Sequence, residues 1–337
     1  MPPQISLAAD AAGASAARGA TPASASPRSV RAKPQQGGHS WLRASANAYR
    51  WGLTPALVVL GGITVLPLLT LVTVSLTPLS LTDPAGTFHF DNPLGNYAQL
   101  LQDERFLHSL LVQFKLSSVG VLLQLLLGLG LALLLNTGSR IASGVRTLFL
   151  IPMVLPPIVV ALIWKIIYTP DISPAHALLD TWGWPVRSLI ANPDTALWAI
   201  AAADVWQWFP FTMLMVLANL QMVPRDPLDA ARIDGANRWQ VFRYIVFPFL
   251  QRTLVVCALF RLIDSFKAFP LLYVLTNGGP GTVTEVTNFY GFIQAFNFSY
   301  WGYGSAIAVV MLLGIFVLCA VVSRLGGTQH GGGSHAR

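Results

Sequence analysis

Cysteine is almost absent from this chain: Cys257 and Cys319 are the only two in 337 residues, and both lie inside apolar runs. No disulfide framework is implied, and neither thiol has a metal-ligand partner nearby in sequence. Charge is scarce as well, since only 10% of the residues are Asp, Glu, Lys or Arg, against roughly a quarter in ordinary soluble domains. With 54% hydrophobic residues, the composition excludes an ordinary soluble domain and places the chain in a membrane. A phosphate-cradling GxxxxGK[ST] loop is missing too. The four lysines follow Ala32, Phe114, Trp164 and Phe266, so none follows a glycine, and a nucleotide site of that type is excluded. The six histidines are scattered, with His330 and His335 in a Gly-rich tail, which offers no metal site. No Ser, His and Asp set and no carboxylate pair can be placed in a closed site, so no catalytic residue is expected.

What is present is a series of apolar runs. Crossing a bilayer takes about 20 such residues, and six runs qualify, at roughly 53–76, 108–136, 144–168, 196–220, 245–276 and 304–325. They predict an all-α membrane protein with six transmembrane helices, its membrane domain at 51–325. The second and fifth runs exceed the hydrocarbon thickness and are expected to tilt, kink or run on into water. The Ala, Ser, Gly and Pro-rich residues 1–50 have neither an apolar run nor helical periodicity, which predicts a disordered tail. Residues 326–337 read as a flexible C-terminal tail. The first apolar run begins only after Trp51 and is long enough to span, so it is expected to be kept as a membrane helix and not removed as a signal.

Lys and Arg are retained on the cytoplasmic side. Fourteen of them lie in the N-terminal tail, the 137–146 loop (Arg140, Arg146), the 221–244 loop (Arg225, Arg232, Arg238, Arg243) and the C-terminal segment. The remaining three loops hold only Arg105 and Arg187 against eight acidic residues. Both termini are therefore expected in the cytoplasm, together with the 226–248 loop. The net charge of +7 is explained by this bias and needs no nucleic acid.

That loop, DPLDAARIDGANRWQVFRYIVFP, differs from its surroundings. Asp226 and Pro227 read as an N-cap and a first-turn proline, and Asp229 adds negative charge where the helix dipole favours it. Gly235 suits a left-handed turn, and Asn237 with Gln240 forms a second capping signature. Two short helices joined at a glycine are predicted. Ala230, Ala231 and Ala236 make a small face for close approach of another backbone; Trp239, Phe242 and Tyr244 supply interfacial aromatics; and Pro248 starts or kinks the fifth span. On these residues alone, a well-capped amphipathic connection lying on the membrane surface is equally admissible.

DAARIDGANRWQVFRYIVFP resembles the EAA loop of binding-protein-dependent ABC importer permeases: EAA, three residues, Gly, nine residues and an I-x-L-P ending. Asp229, Ala230, Ala231, Gly235, Ile245 and Pro248 fall on that pattern, with Asp229 in place of its Glu and Phe247 in place of its Leu. The stretch VLTNGGPGTVTEV, with the aromatic segment after it, is similar to the region before the last span in the carbohydrate-uptake, maltose-type branch. The resemblance covers roughly residues 50–325. It implies a type I ABC importer permease fold in the bacterial plasma (inner) membrane, crossing it several times. It also implies a coupling loop (Asp229, Ala230, Ala231, Asp234, Gly235, Ala236, Pro248) that docks on a cytoplasmic ATPase. The implied partners are a second homologous permease, two ATP-binding cassette ATPase subunits that use ATP and Mg, and an extracytoplasmic solute-binding protein. This chain itself would bind no cofactor, be no enzyme, and carry a sugar, polyol or glycerol-phosphate-like solute. Importers of amino acids, polyamines or ions in the same superfamily remain open. So does an ion-gradient-driven secondary transporter, although that class is expected to show internal repeats, and so does a scaffold that anchors a partner other than an ATPase.

Charges at bilayer depth are costly and usually face a cavity or a partner. Arg261, Asp264 and Lys267 recur at spacing three on the fifth run, and Asp204, Gln207, Trp208 and Phe211 lie on the fourth. Together they could line a path offering hydrogen bonds and ring faces to a polyhydroxy solute. Alternatively, Asp264 neutralises Arg261 or Lys267 to hold helices together.

Overall fold

The computed structural model describes residues 40–82, 89–170, 172–183 and 188–327. Residues 1–39 and 328–337 of the two expected tails, and Arg187, lie outside the described residues. The chain divides into two compact units, Met1–Gly61 and Gly62–Arg337. The described part of the first is helical from Ser40, the start of α1 (Ser40–Ser75). The second unit is built from α2 (Gly95–Gln102), α3 (Glu104–Leu135), α4 (Arg140–Val154), α5 (Pro157–Tyr168), α6 (Pro174–Thr181), α7 (Pro193–Leu220), α8 (Arg225–Ile233), α9 (Arg238–Val241), α10 (Phe247–Ser265), α11 (Phe269–Leu275), α12 (Thr287–Phe292) and α13 (Trp301–Gly327). Among the described residues there is no strand.

Among the described residues, five segments are long and apolar enough to cross a bilayer: Leu53–Ser75, Glu104–Leu135, Pro193–Leu220, Arg238–Ser265 and Trp301–Arg324. A sixth exists only if α4 and α5 are counted as one span, for they meet at 99°. The third apolar run, expected as one helix over 144–168, is thus broken. The cause is Pro152 inside α4 together with Pro156 and Pro157 at the start of α5, where proline removes backbone donors and disfavours helix in the residue before it. The fifth run also differs from its expected 245–276. Its helix ends at Ser265, and after Ala268, at φ −70 and ψ 44, the chain restarts as α11 with Pro270 in its first turn. At the other end the span gains residues, since α9, a π-helical turn over Phe242–Val246 and α10 run on without a break.

Helices α3 and α7 pack closely and run parallel. A side chain at Gly120 would sit 3.4 Å from the Asp204 carboxylate, and one at Gly128 only 2.5 Å from Thr212 Cβ and 2.8 Å from Met213 N. Eight residues along one helix thus match eight along the other. Helix α10 runs antiparallel to α3, with Arg261 beside Gln124 and Ser265 beside Ser117. The 225–241 segment therefore lies at one end of the bundle, and the N-terminus of α3 at the opposite end.

At that opposite end, polar groups bind the helices together. Asp103 caps α3 through Arg105 N (2.9 Å) and Phe106 N (3.2 Å), and it accepts the hydroxyls of Tyr290 and Tyr303. Burial alone would raise its pKa; the bonds from Tyr290, Tyr303 and the two amides outweigh this and hold the carboxyl below its usual range. Burial, followed by the bond to this carboxylate, pushes Tyr290 up to about 12. Arg105 grips buried Glu285 with Nε at 2.9 Å and Nη2 at 2.7 Å. The GGP segment before Glu285 is an ordered turn: Gly278 has φ +84, and a Cβ there would meet the Phe289 ring at 2.7 Å, while Thr284 Oγ1 donates to Gly279 O (2.7 Å).

Candidate functional site

The 225–248 segment forms two short helices joined at a glycine. Helix α8 begins at Arg225, two residues earlier than the sequence suggested: Pro224 takes the cap position, and Asp226 lies inside the first turn. Proline at 227 is accommodated there because amides of a first turn have no intrahelical acceptor. Gly235 has φ +75, with its N–H on Arg232 O and that of Ala236 on Ala231 O, the paired bonds of a Schellman ending. Asn237 and Gln240 then form a reciprocal capping box. The hairpin is thus rigid within itself, yet little of it is buried: Ile233 is 86% exposed and Trp239 68%.

Of the residues singled out in this segment, Asp229 and Ala230 are exposed on α8, and Asp229 pairs with Arg232 at 2.7 Å. Ala231 and Ala236 are half-buried, and Asp234 is the exposed C-cap. Pro248, also exposed, follows the π-helical turn, in which Phe247 N–H reaches back to Phe242 O. Widening the helix there relieves the crowding that a proline ring imposes on the preceding turn.

A second polar constellation lies between α3, α7 and α10. Arg261, 1% exposed, divides its donors among three partners. Its Nε donates to Gln124 Oε1 (2.8 Å), its Nη1 to Asp264 Oδ2 (3.2 Å), and its Nη2 lies 3.5 Å from Asp204 Oδ1. Gln124 Nε2 donates in turn to Asp204 Oδ2 (2.7 Å). The guanidinium also covers the Trp208 ring at 4.4 Å, and Phe211 meets Phe260 edge-on at 6.2 Å. Asp264 is nearly half exposed, so this site has a buried, fully bonded floor and one carboxylate at its open side.

Six of the seven residues singled out inside the membrane belong to α7 and α10, and four of them, Asp204, Trp208, Arg261 and Asp264, meet at this floor. Gln207 turns instead to the α4–α5 elbow, where its Nε2 donates to Leu155 O (3.3 Å), a carbonyl that the break leaves without a helical partner. Lys267 stands apart: it is exposed beyond the end of α10, and among the described residues it makes no ion pair within 4 Å. Asp264 thus pairs with Arg261 and not with Lys267. Gln124, the residue that ties the constellation together, was not found from sequence. A glutamine in a Leu-rich run carries no charge, but a lone amide at bilayer depth was a usable signal.

A bundle of apolar helices broken by prolines, with a rigid exposed hairpin at one end and a buried polar floor at its centre, defines a polytopic membrane permease. Residues 124–327 match the family described as binding-protein-dependent transport system inner membrane component, and the chain belongs to that family. It is 34% identical to the trehalose/maltose transport system permease protein MalF of Thermococcus litoralis over 280 residues, 79% of this chain and 93% of that protein. It is 31% identical to the trehalose transport system permease protein SugA of Mycobacterium tuberculosis over 283 residues, 83% and 89% of the two. Among solved structures it resembles a bacterial ABC transporter involved in import of the acidic polysaccharide alginate. The TM-score is 0.74 at 18% identity, with 86% of this chain and 99% of that one covered; the fold is that of an ABC importer permease.

Proposed function

We propose that this chain is the membrane subunit of an ATP-driven importer for a sugar, polyol or glycerol-phosphate-like solute. In this reading it has six spans, with α4 and α5 together forming the third, and both termini in the cytoplasm of a bacterial inner membrane. A second, homologous permease completes the path, two ATPase subunits bind and hydrolyse ATP with Mg, and an extracytoplasmic protein delivers the solute. This chain is not an enzyme and binds no cofactor of its own.

The observation that carries the reading is the 225–241 hairpin. It is stiffened by a Schellman ending and a capping box, exposes Ile233 and Trp239, and continues through the π-helical turn into the helix that bears Arg261. A stiff element exposed at one end can be gripped, and its displacement passes along α10 to the polar floor without dissipating in a loose loop. The floor supplies the solute contacts: the Asp264 carboxylate for hydroxyls, and the rings of Trp208 and Phe211 for the apolar face of a sugar. Asp204 and Arg261 hold that face in place, and Gln207 steadies the elbow beside it. The sugar-permease names of the relatives support the solute class.

Reconstitution with the partner permease, ATPases and binding protein tests the reading. Trehalose-dependent ATP hydrolysis and uptake into vesicles are expected, and both should disappear when the ATPase is omitted. Uptake by this chain alone, driven by an ion gradient, would overturn it.

A further inference from the structure

A half-open, partly polar space lies at the end of the bundle opposite the hairpin. It is a cavity of about 250 Å³, lined by residues that include Asn96, Gln99, Tyr290, Gln294, Tyr300 and Tyr303. Its walls are built before any ligand arrives. Asn96 Nδ2 holds the carbonyls of Ser75 (2.9 Å) and Thr77 (2.8 Å). The 79–81 strip is fastened to the 299–302 strip by Leu81 N to Ser299 O (3.1 Å) and Gly302 N to Leu79 O (2.9 Å). A Cβ on Gly302 would lie 2.0 Å from Thr77 O, so the two strips touch backbone to backbone. A preformed concavity of this kind spares a ligand the ordering that usually offsets binding.

The chemistry of the lining restricts what fits. Among the described residues no cation lines the cavity and one carboxylate does: Asp103, which already accepts four hydrogen bonds. An anion would find no counter-charge there and would meet the Asp103 carboxylate. The side chains of Gln99 and Tyr300 have no hydrogen bond among the described residues, and three tyrosine rings supply apolar faces. Donors, acceptors and ring faces, with no cation and with the one carboxylate tied to amides and tyrosine hydroxyls, suit a neutral polyhydroxylated ring. The space is smaller than the roughly 300–1,000 Å³ typical of drug-sized ligands, which limits the occupant to a single ring.

We propose that this rim cavity is a second solute site, which holds one neutral sugar ring at the mouth of the bundle, separate from the floor around Arg261. The choice of a sugar rests on the function proposed above; the cavity and its cation-free lining do not. A disaccharide would place one ring in the cavity and leave the other free toward the path.

Saturation-transfer NMR on the full chain in detergent micelles tests this, with trehalose as the probe and glucuronate as the charged comparator. Trehalose should receive saturation from the unaltered chain and from Trp208→Leu, whose floor is disabled, and glucuronate should receive far less. Adding Gln99→Leu and Tyr300→Ala to Trp208→Leu should cut the remaining trehalose signal at least fivefold, whereas with the floor intact the same pair should cut it only in part. Tyr300→Phe, which keeps the ring and removes only the hydroxyl, should cut it about twofold and guards against a folding defect. An undiminished signal when the rim substitutions are added to Trp208→Leu overturns the proposal. So does loss of the signal from Trp208→Leu alone, an outcome that leaves the central path intact and so separates the two readings. Reduced capture of the purified binding protein by the rim variants, with trehalose saturation unchanged, also overturns it and assigns the cavity to protein docking.

Discussion

Arg261 places its guanidinium 4.4 Å from the centre of the Trp208 ring while its donors point at Gln124, Asp204 and Asp264. One cation thus fixes the ring of α7, the amide of α3 and a carboxylate on its own helix. Removing one partner from a buried pair strands the other, at a cost of about 3–5 kcal/mol. Arg261→Met should therefore lower the thermal midpoint of the purified chain strongly. Adding Asp204→Asn should recover part of the loss, because it removes the stranded charge. A double variant no more stable than the single would show that Asp204 does not depend on Arg261.

Gly235→Val tests the hairpin. Nothing lies within 4 Å of a Cβ built there, so the whole penalty is the φ of +75, about 1–3 kcal/mol for such a residue. Insertion and yield should be unchanged, while solute-stimulated ATP hydrolysis by the assembled complex should fall several-fold. Normal hydrolysis in a normally assembled complex would remove the mechanical role from this turn.

The α3–α7 contact yields a paired prediction. Gly128→Leu forces a side chain into Thr212 and the Met213 backbone, and overpacking of this type costs about 1–3 kcal/mol. Gly130, two residues on, has nothing within 4 Å. Gly130→Leu should melt like the unaltered chain and Gly128→Leu well below it, as read by fluorescence-detected size exclusion after heating.

Asp103 predicts an acid limit. Its pKa is lowered in the folded chain, so its contribution is complete above the unfolded value of about 3.9 and is lost as pH falls through the still lower folded value. The thermal midpoint should drop as pH is taken below about 4. In Asp103→Asn the midpoint should already be lower at neutral pH, and that acid-dependent part should be absent.

Much of this was legible in the chain itself, because apolar length and cap chemistry are local properties. Gly235 and the Asn237–Gln240 box could be read directly, since a positive φ and a reciprocal cap each need particular residues at fixed spacing. The start of α8 lies two residues before the expected one because Pro224 and Pro227 both carry start signals, and only the backbone decides between them. The third run reads as one span by hydropathy, which does not register that Pro152, Pro156 and Pro157 interrupt it. Gln124, Arg105 and Glu285 escaped for a different reason. Their partners lie between 80 and 180 residues away, and no local pattern encodes such a pairing.

The parallel course of α3 and α7 bears on how the protein is made. Two neighbours that point the same way cannot be joined by a tight turn, so the chain has to cross back between them, and the α4–α5 elbow makes that crossing. Until the ribosome has delivered residues up to about 213, the notch at Gly128 stays empty and Gln124 faces lipid without Asp204. Truncation anywhere in that interval should leave an inserted but unfinished product, conspicuous to membrane proteases, whereas truncation after α7 should leave that helix pair closed.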